Sequence, residues 1–439
     1  MEKHRKHEYS VVATGAVACV VAVHSLSGCG SGDVAKETRV GTVSAPLVTP
    51  AGSVGSPSGA PETQSWEEWH KAMVKTPFPK EGCFQASHPD TTWKEIPCAI
   101  APPVRRSGRP NFHPRTTGNM LESPGPTGGG VDYSPQVSGT ISSVTGSFPS
   151  VINVNTVTSS NDSGVSVGSY GLQMNTNNFQ TPLCNGKAGC YGWQQFVFGN
   201  DTTASYGALL WIEYWLFGYG ATAPPNPYPN DPNMYWGCDV GGWKKGQPCS
   251  GSIVQNDAGG SSCVRPAVKG GQPCVGSWVL NGYGANPKLQ PVANLANFTL
   301  TGSAVLGGTD PITLTTGSGQ PVYAVNKNSD SVLSLGQAGL WNQVEFNVVG
   351  VCCGDVATFN DNATITVRTT VTSGTTASPT CTKTGTTAET NNLNLVDGSC
   401  CASGGTSPAI QFVQSNVSPL PKAPFCLLND IAPIGFPLL

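Results

Sequence analysis

Charge is what this chain most lacks. Of its 439 residues only 11% are Asp, Glu, Lys or Arg, and the formal net charge is −3; an average soluble protein carries about 25% charged residues. So neutral a chain has no electrostatic footprint for a phosphate backbone, and nucleic acid is excluded as a partner. Histidine is missing from most of the chain as well. All six (His4, His7, His24, His70, His88 and His113) precede residue 131, so 131–439 contains none. A Ser-His-Asp or Cys-His catalytic set and a histidine-ligated zinc are therefore excluded there. Glutamate is nearly as scarce, with only Glu213, Glu345 and Glu389 after Glu122. The apolar run at 11–23 is too short to cross a bilayer as a helix, which takes about 20 residues. No cofactor or metal is expected, because the vicinal cysteines lack C-x-x-C spacing and nearby histidine.

What is present begins with an address. Lys3, Arg5 and Lys6 precede the apolar run, and Leu26-Ser27-Gly28-Cys29 follows it. This tetrapeptide resembles the lipobox of bacterial lipoproteins. The resemblance implies that 1–28 is a signal peptide and that Cys29 becomes a lipid-bearing N-terminus. The expected location is outside the cytoplasm, lipid-anchored at an outer membrane or cell surface, with the membrane as a partner. Two or three acyl chains hold stably where one does not, at about 0.8 kcal/mol per buried CH₂.

Setting aside Cys19 in the signal segment and Cys29, fourteen of the sixteen cysteines remain. An even number in an exported chain implies up to seven disulfides. Spacing points to local pairs: Cys83 with Cys98, Cys184 with Cys190, Cys238 with Cys249, Cys263 with Cys274, and Cys381 with Cys400 or Cys401. Cys352, Cys353, Cys426 and one of the Cys400/Cys401 pair make up the remainder.

Composition divides the chain further. Residues 29–64 read as a flexible tether rich in Gly, Ser, Pro and Thr. In 65–103, Ser65 and Glu68 form a capping box ahead of a short helix, and Trp66, Trp69 and Met73 share one of its faces. A disulfide-closed loop unit follows. Residues 104–130 are a Gly/Pro-rich linker. From 131 to 439 short Val-, Ile-, Thr- and aromatic-rich runs alternate with turn residues, as in all-β chains. Strands are expected at 137–143, 151–157, 170–174, 192–198, 208–217, 276–283, 295–305, 311–316, 322–325, 341–349, 363–372 and 410–414. The expected fold is an all-β, two-sheet antiparallel sandwich. Within it, 237–277 holds a duplicated disulfide loop, since two C-x₁₀-C segments both end in K-x-G-Q-P-C.

Glu213 lies in LLWIEYWLFGYG, where strand alternation puts Trp211, Glu213, Trp215 and Phe217 on one face. A carboxylate among such neighbours would have a raised pKa. Glu345 lies in WNQVEFNVVG, sharing a face with Gln343 and Asn347. The strand GWQQFVF offers Gln194 and Gln195 to opposite faces, next to Trp193.

Together, WQQFVF, LWIEYWL and the later QVEFNVVG resemble the glutamic peptidase (eqolisin) pattern. The resemblance implies a concanavalin-like, jelly-roll sandwich with a Gln/Glu pair on one sheet face. It assigns Gln194 as the oxyanion-stabilising amide and Glu345 as the general base for water. It matches Trp211, Glu213 and Tyr214 to the family's aromatic strand and Phe346 to its late aromatic position. Gln194, Glu345 and Glu213 are thus the catalytic candidates, and Trp193, Trp211, Tyr214, Trp215 and Gln343 the binding candidates. Three readings stay open: a monomeric binding module for an extended polysaccharide or polypeptide, an acid-acting glutamic-type endopeptidase, and a ligand-free structural surface protein.

Overall fold

Short strands with one apolar face can bury that face only by stacking sheets, and this chain does so. The computed structural model describes residues 65–101, 132–161, 164–238, 249–255, 261–264, 269, 272–275, 277–351, 354–383, 387 and 389–420. The expectations for the signal segment, Cys29, the tether, the 104–130 linker, Cys352, Cys353, Cys426 and the side chains of Cys263 and Cys274 lie outside the described residues. The protein is all-β and mostly antiparallel, with one α-helix among the described residues.

Two large sheets make the body. The first has ten strands and runs, in order, Lys94–Ile96, Gly82–Ala86, Val322–Asn326, Ile312–Thr315, Thr299–Ser303, Ser143–Ile152, Thr364–Thr372, Ala409–Ser415 and Asn394–Leu395. Cys401–Ser403 also pairs with Ala409–Ser415. The second has seven strands and runs Gly237–Cys238, Trp278–Ala285, Ala208–Phe217, Tyr191–Asn200, Tyr170–Thr176 and Val344–Val349, with Ala99–Ile100 paired to Trp278–Ala285.

The sheets meet over one core. From the seven-stranded sheet, Leu172, Met174, Phe196, Phe198, Leu210, Ile212, Leu216, Phe346 and Val348 point inward against Val144, Leu300, Ile312, Ile365 and Phe412 of the other. Two glycines bring the layers close. A Cβ on Gly146 would stand 2.4 Å from the Phe346 ring, and one on Gly302 2.6 Å from Phe196. Aromatic rings of one sheet thus fill the gaps left by glycines of the other.

Several strand boundaries differ from the sequence expectation. Expected strands at 137–143 and 151–157 are replaced by Ser134–Gln136, Ser143–Ile152 and Val157–Asn161. Pro149 survives inside Ser143–Ile152 because the pairing slips there. Ser147 opposes Arg368 and Ser150 opposes Thr366, leaving two residues against one, the bulge geometry that admits proline. The strand expected at 295–305 begins instead as a 3₁₀ turn, Val292–Asn297, before Thr299–Ser303. The duplicated 237–277 segment contributes a three-stranded sheet, Ser261–Val264, Ser250–Gln255 and Gln272–Val275.

The N-terminal unit also differs from expectation. Its helix, Trp66–Met73, carries the capping box, with the Glu68 N–H donating to Ser65 Oγ (3.3 Å) and the Ser65 N–H donating to Glu68 Oε2 (3.2 Å). Trp69 and Met73 pack on Ala86 and Val322. The following unit, read as a loop, forms strands because Cys83, Phe84 and Ala86 are apolar enough to be buried. Gly82–Ala86 pairs with Val322–Asn326, and Ala99–Ile100 pairs with Tyr283 and Gly284. Residues 65–101 are therefore continuous with the sandwich.

Four disulfides join described residues: Cys83–Cys98, Cys184–Cys190, Cys238–Cys249 and Cys381–Cys400. Cys401 is disulfide-bonded too. Such a set belongs to an oxidising, non-cytoplasmic environment. No helix among the described residues is long and apolar enough to cross a membrane.

Candidate functional site

Alternation along Ala208–Phe217 sends Leu210, Ile212, Tyr214 and Leu216 into the core. It leaves Trp211, Glu213, Trp215 and Phe217 on the outer face of the seven-stranded sheet. Register then decides what lies beside Glu213. Glu345 opposes Asn175, Asn175 opposes Gln195, Gln195 opposes Glu213, and Glu213 opposes Asn281. Directly opposed residues in antiparallel strands share a face. Five strands therefore contribute one polar residue each to a transverse row: Glu345, Asn175, Gln195, Glu213, Asn281.

The row is knitted by side-chain hydrogen bonds. Asn175 Nδ2 donates to Glu345 Oε2 (3.3 Å), and Gln195 Nε2 donates to Asn175 Oδ1 (2.9 Å) and to Gln173 Oε1 (3.2 Å). Gln195 Oε1 accepts from Trp215 Nε1 at 3.0 Å. At the Glu345 end, Thr387 Oγ1 donates to Gln173 Oε1 (3.1 Å) and hydrogen-bonds Glu389, while Asn347 Nδ2 reaches Asp132 Oδ2 at 3.4 Å. All five row residues are 1–7% exposed. Polar groups so placed cost stability unless each is bonded, which accounts for the density of this network.

Apolar clusters flank the row on both sides. Trp193, Trp215, Phe217 and Val279 pack with Tyr191, Trp215 stacking on Phe217 with ring centroids 5.6 Å apart. On the far side Trp211 packs with Val197, Leu209 and Ala101. The tryptophans expected to stack on a ligand, Trp193, Trp211 and Trp215, are 2–8% exposed. Trp193 and Trp215 pack on each other and Trp211 on its own cluster, instead of forming an open platform. Gln343 sits at the head of the Glu345 strand in an isolated bridge with Gln136.

Two predicted site residues lie elsewhere. Gln194 and Tyr214 oppose each other on the core face, and both are fully buried. Gln194 Nε2 donates to Asp310 Oδ2 at 2.9 Å. The expected Gln194–Glu345 pair is therefore not formed. Side chains alternate strictly along a strand, so a one-residue shift exchanges faces, and the amide sharing Glu345's face is Gln195. Burial, then the charge on neighbouring Tyr228, pushes the Tyr214 hydroxyl well above its ordinary pKa.

Distance limits the chemistry. Glu345 and Glu213 are three strand steps apart, about 14 Å at roughly 4.8 Å per step. Paired-carboxylate glycosidases hold their two groups at about 5–9.5 Å, so these two glutamates cannot serve one glycosidic bond. Carboxylate and amide do meet at adjacent positions, Glu345 with Asn175 and Glu213 with Gln195. A carboxylate beside an amide donor is the pairing that activates water and steadies an oxyanion. Among the described residues no three His, Cys, Asp or Glu side chains converge as metal ligands.

The chain matches no protein-family model and no curated protein. Asn175, Gln173, Asn281 and Asp310, the inner partner of Gln194, were not among the sequence-derived site residues. Alternation in YGLQMNT, where Gln173 and Asn175 alternate with Leu172 and Met174, was the signal for the first two.

Proposed function

We propose that this chain is an exported protein that holds an extended polymer against the outer face of its seven-stranded sheet and hydrolyses it in acid. Glu345 is the base for water, and Asn175 beside it, with Gln195 one strand further along the row, steadies the developing oxyanion. The observation that carries the reading is the transverse row itself, which keeps two carboxylates and three amides on one buried sheet face. The glutamic peptidase likeness supports a polypeptide substrate, with Gln195 taking the place first given to Gln194. The row residues are 1–7% exposed, so a polymer reaches them only when their neighbours shift. The Leu26–Cys29 tetrapeptide supports lipid attachment at Cys29, which would hold a monomeric body at the membrane's outer side.

A second reading, binding without turnover, is favoured by one detail. Both Gln195 amide hydrogens and its oxygen are already bonded, so donation to an oxyanion requires rearrangement. One assay separates the two. Denatured protein is incubated at acid pH with the wild type and with Glu345→Gln, and cleavage and retention are scored separately. Cleavage by the wild type that the variant loses, with retention kept in both, supports the hydrolase. Retention without cleavage by either protein leaves the binding reading, and neither activity in either protein defeats both.

A further inference from the structure

Gln194 reaches away from the row into a polar cluster that the proposed chemistry does not use. Asp310 lies just before the Ile312–Thr315 strand, and Asp330 opens the 3₁₀ turn Asp330–Val332. Backbone bonds lace the two segments together: the Asp310 N–H donates to Asn328 O (2.7 Å) and the Asp330 N–H to Gly308 O (3.0 Å). Both side chains are buried, and the antiparallel bridge between Thr309 and Ser329 sets Asp310 and Asp330 on the same side of the paired segments, diagonal to each other.

Their other partners differ. Each Asp330 oxygen accepts a backbone N–H, Oδ1 from Gly336 (2.7 Å) and Oδ2 from Gly307 (3.2 Å). Asp310 Oδ2 accepts the Gln194 amide, and the backbone of Val305 also reaches this carboxyl group. Two carboxylates in contact inside a protein cannot both stay ionised, and a proton is the one hydrogen able to join them. The remaining titratable groups around the pair are phenols. Tyr214 faces it from the seven-stranded sheet, and Tyr228, close to Tyr214, from the 221–236 loop. Glu81 and Tyr283 stand beyond Tyr228, and Asp231 and Lys327 sit on Tyr283. Burial keeps both Tyr214 and Tyr228 neutral at physiological pH.

We propose that Asp310 and Asp330 share one proton, Asp310 as acid and Asp330 as carboxylate, forming a latch that holds the 307–336 segment on the Gln194 strand and loosens as pH rises. Burial first, then the Asp330 charge, pushes the Asp310 carboxyl well above the usual carboxylate range, the Gln194 and Val305 hydrogen bonds opposing this less. A folded-state pKa above the unfolded value gives stability that is complete below the unfolded pKa and lost as pH rises through the folded one. The latch is therefore tightest in acid. It stands whether or not the outer row is catalytic.

Two measurements test it. Infrared spectra of the wild type at neutral pH should show the carbonyl stretch of a protonated, buried carboxyl group, and Asp310→Asn should lack it. Denaturant midpoints followed from about pH 4 to about pH 8 should fall steadily for the wild type and much less for Asp310→Asn, whose amide imitates the acid. Asp330→Asn, which weakens the acceptor for Gly307 and Gly336, should be less stable at every pH. A wild type without the protonated-carboxyl band, or midpoints that run parallel in wild type and Asp310→Asn, overturns the proposal. If Asp310→Asn does not fold, the wild-type band decides alone.

Discussion

Gly146→Ala tests how tightly the two sheets are fitted. A methyl group there would lie 2.4 Å from Cγ and Cδ2 and 2.5 Å from Cδ1 of Phe346. Comfortable carbon contacts begin at about 3.5 Å, so the ring must retreat by about 1 Å. It has little room, being fully buried and tilted against Phe148 with centroids 5.3 Å apart. Overpacking of this kind costs about 1–3 kcal/mol, and the boxed-in ring argues for the upper end. Replacing glycine offsets about 0.4–1 kcal/mol of that through the unfolded chain, leaving a loss of about 2 kcal/mol. Urea denaturation measures it as a lower midpoint at unchanged slope. Adding Phe346→Leu should recover part of the loss, because the smaller side chain vacates the contested space. Phe346 follows Glu345 in the strand, so the single variant should also disturb the outer-face row. A variant within about 0.5 kcal/mol of wild type would falsify the close-fit account, since surface-like changes fall in that range.

Gln194→Ala should destabilise the protein by about 1–3 kcal/mol by stripping Asp310 of its amide donor inside the core, and calorimetry will show it as a lower Tm. Gln195→Ala should instead abolish cleavage or retention of the polymer; equal effects of both variants on both readouts would mean that the two faces are not functionally distinct. Serine at both Cys83 and Cys98 opens a loop of sequence separation 15, worth about 3 kcal/mol in the chain-entropy account, which denaturant midpoints measure directly. Trp215→Phe removes the indole donor to Gln195 and should cost about 1 kcal/mol while leaving the Phe217 stack in place, as near-ultraviolet circular dichroism can check.

The sandwich was legible because its strands obey the period of two. The 208–217 segment was bounded correctly, and the faces of Trp211, Glu213, Trp215 and Phe217 followed from alternation alone. Where the sequence misled, a tertiary contact overrode local chemistry. Gly146 and Pro149 fall between the expected strands, yet the first admits the Phe346 ring and the second rides a bulge. The site was half visible. Glu345 and Glu213 were found, since glutamate is rare enough to be noticed. Which of the two adjacent glutamines shared their face depended on register between strands far apart in the chain, and local pattern does not encode register. Asp310 and Asp330 were invisible for the same reason: ordinary turn residues by sequence, they meet only because 308–310 and 328–330 lie side by side.

The segment that enters the body before the sandwich proper works as a staple with two prongs. One, Gly82–Ala86, is sewn into the ten-stranded layer; the other, Ala99–Ile100, into the seven-stranded layer; and Cys83–Cys98 ties them. A protease nicking the turn around 88–92 would produce two polypeptides that migrate as one until a thiol is added. Reduction, not cutting, is then the event that frees the front end of this molecule, and its survival outside a cell becomes a question of redox chemistry more than of proteolysis.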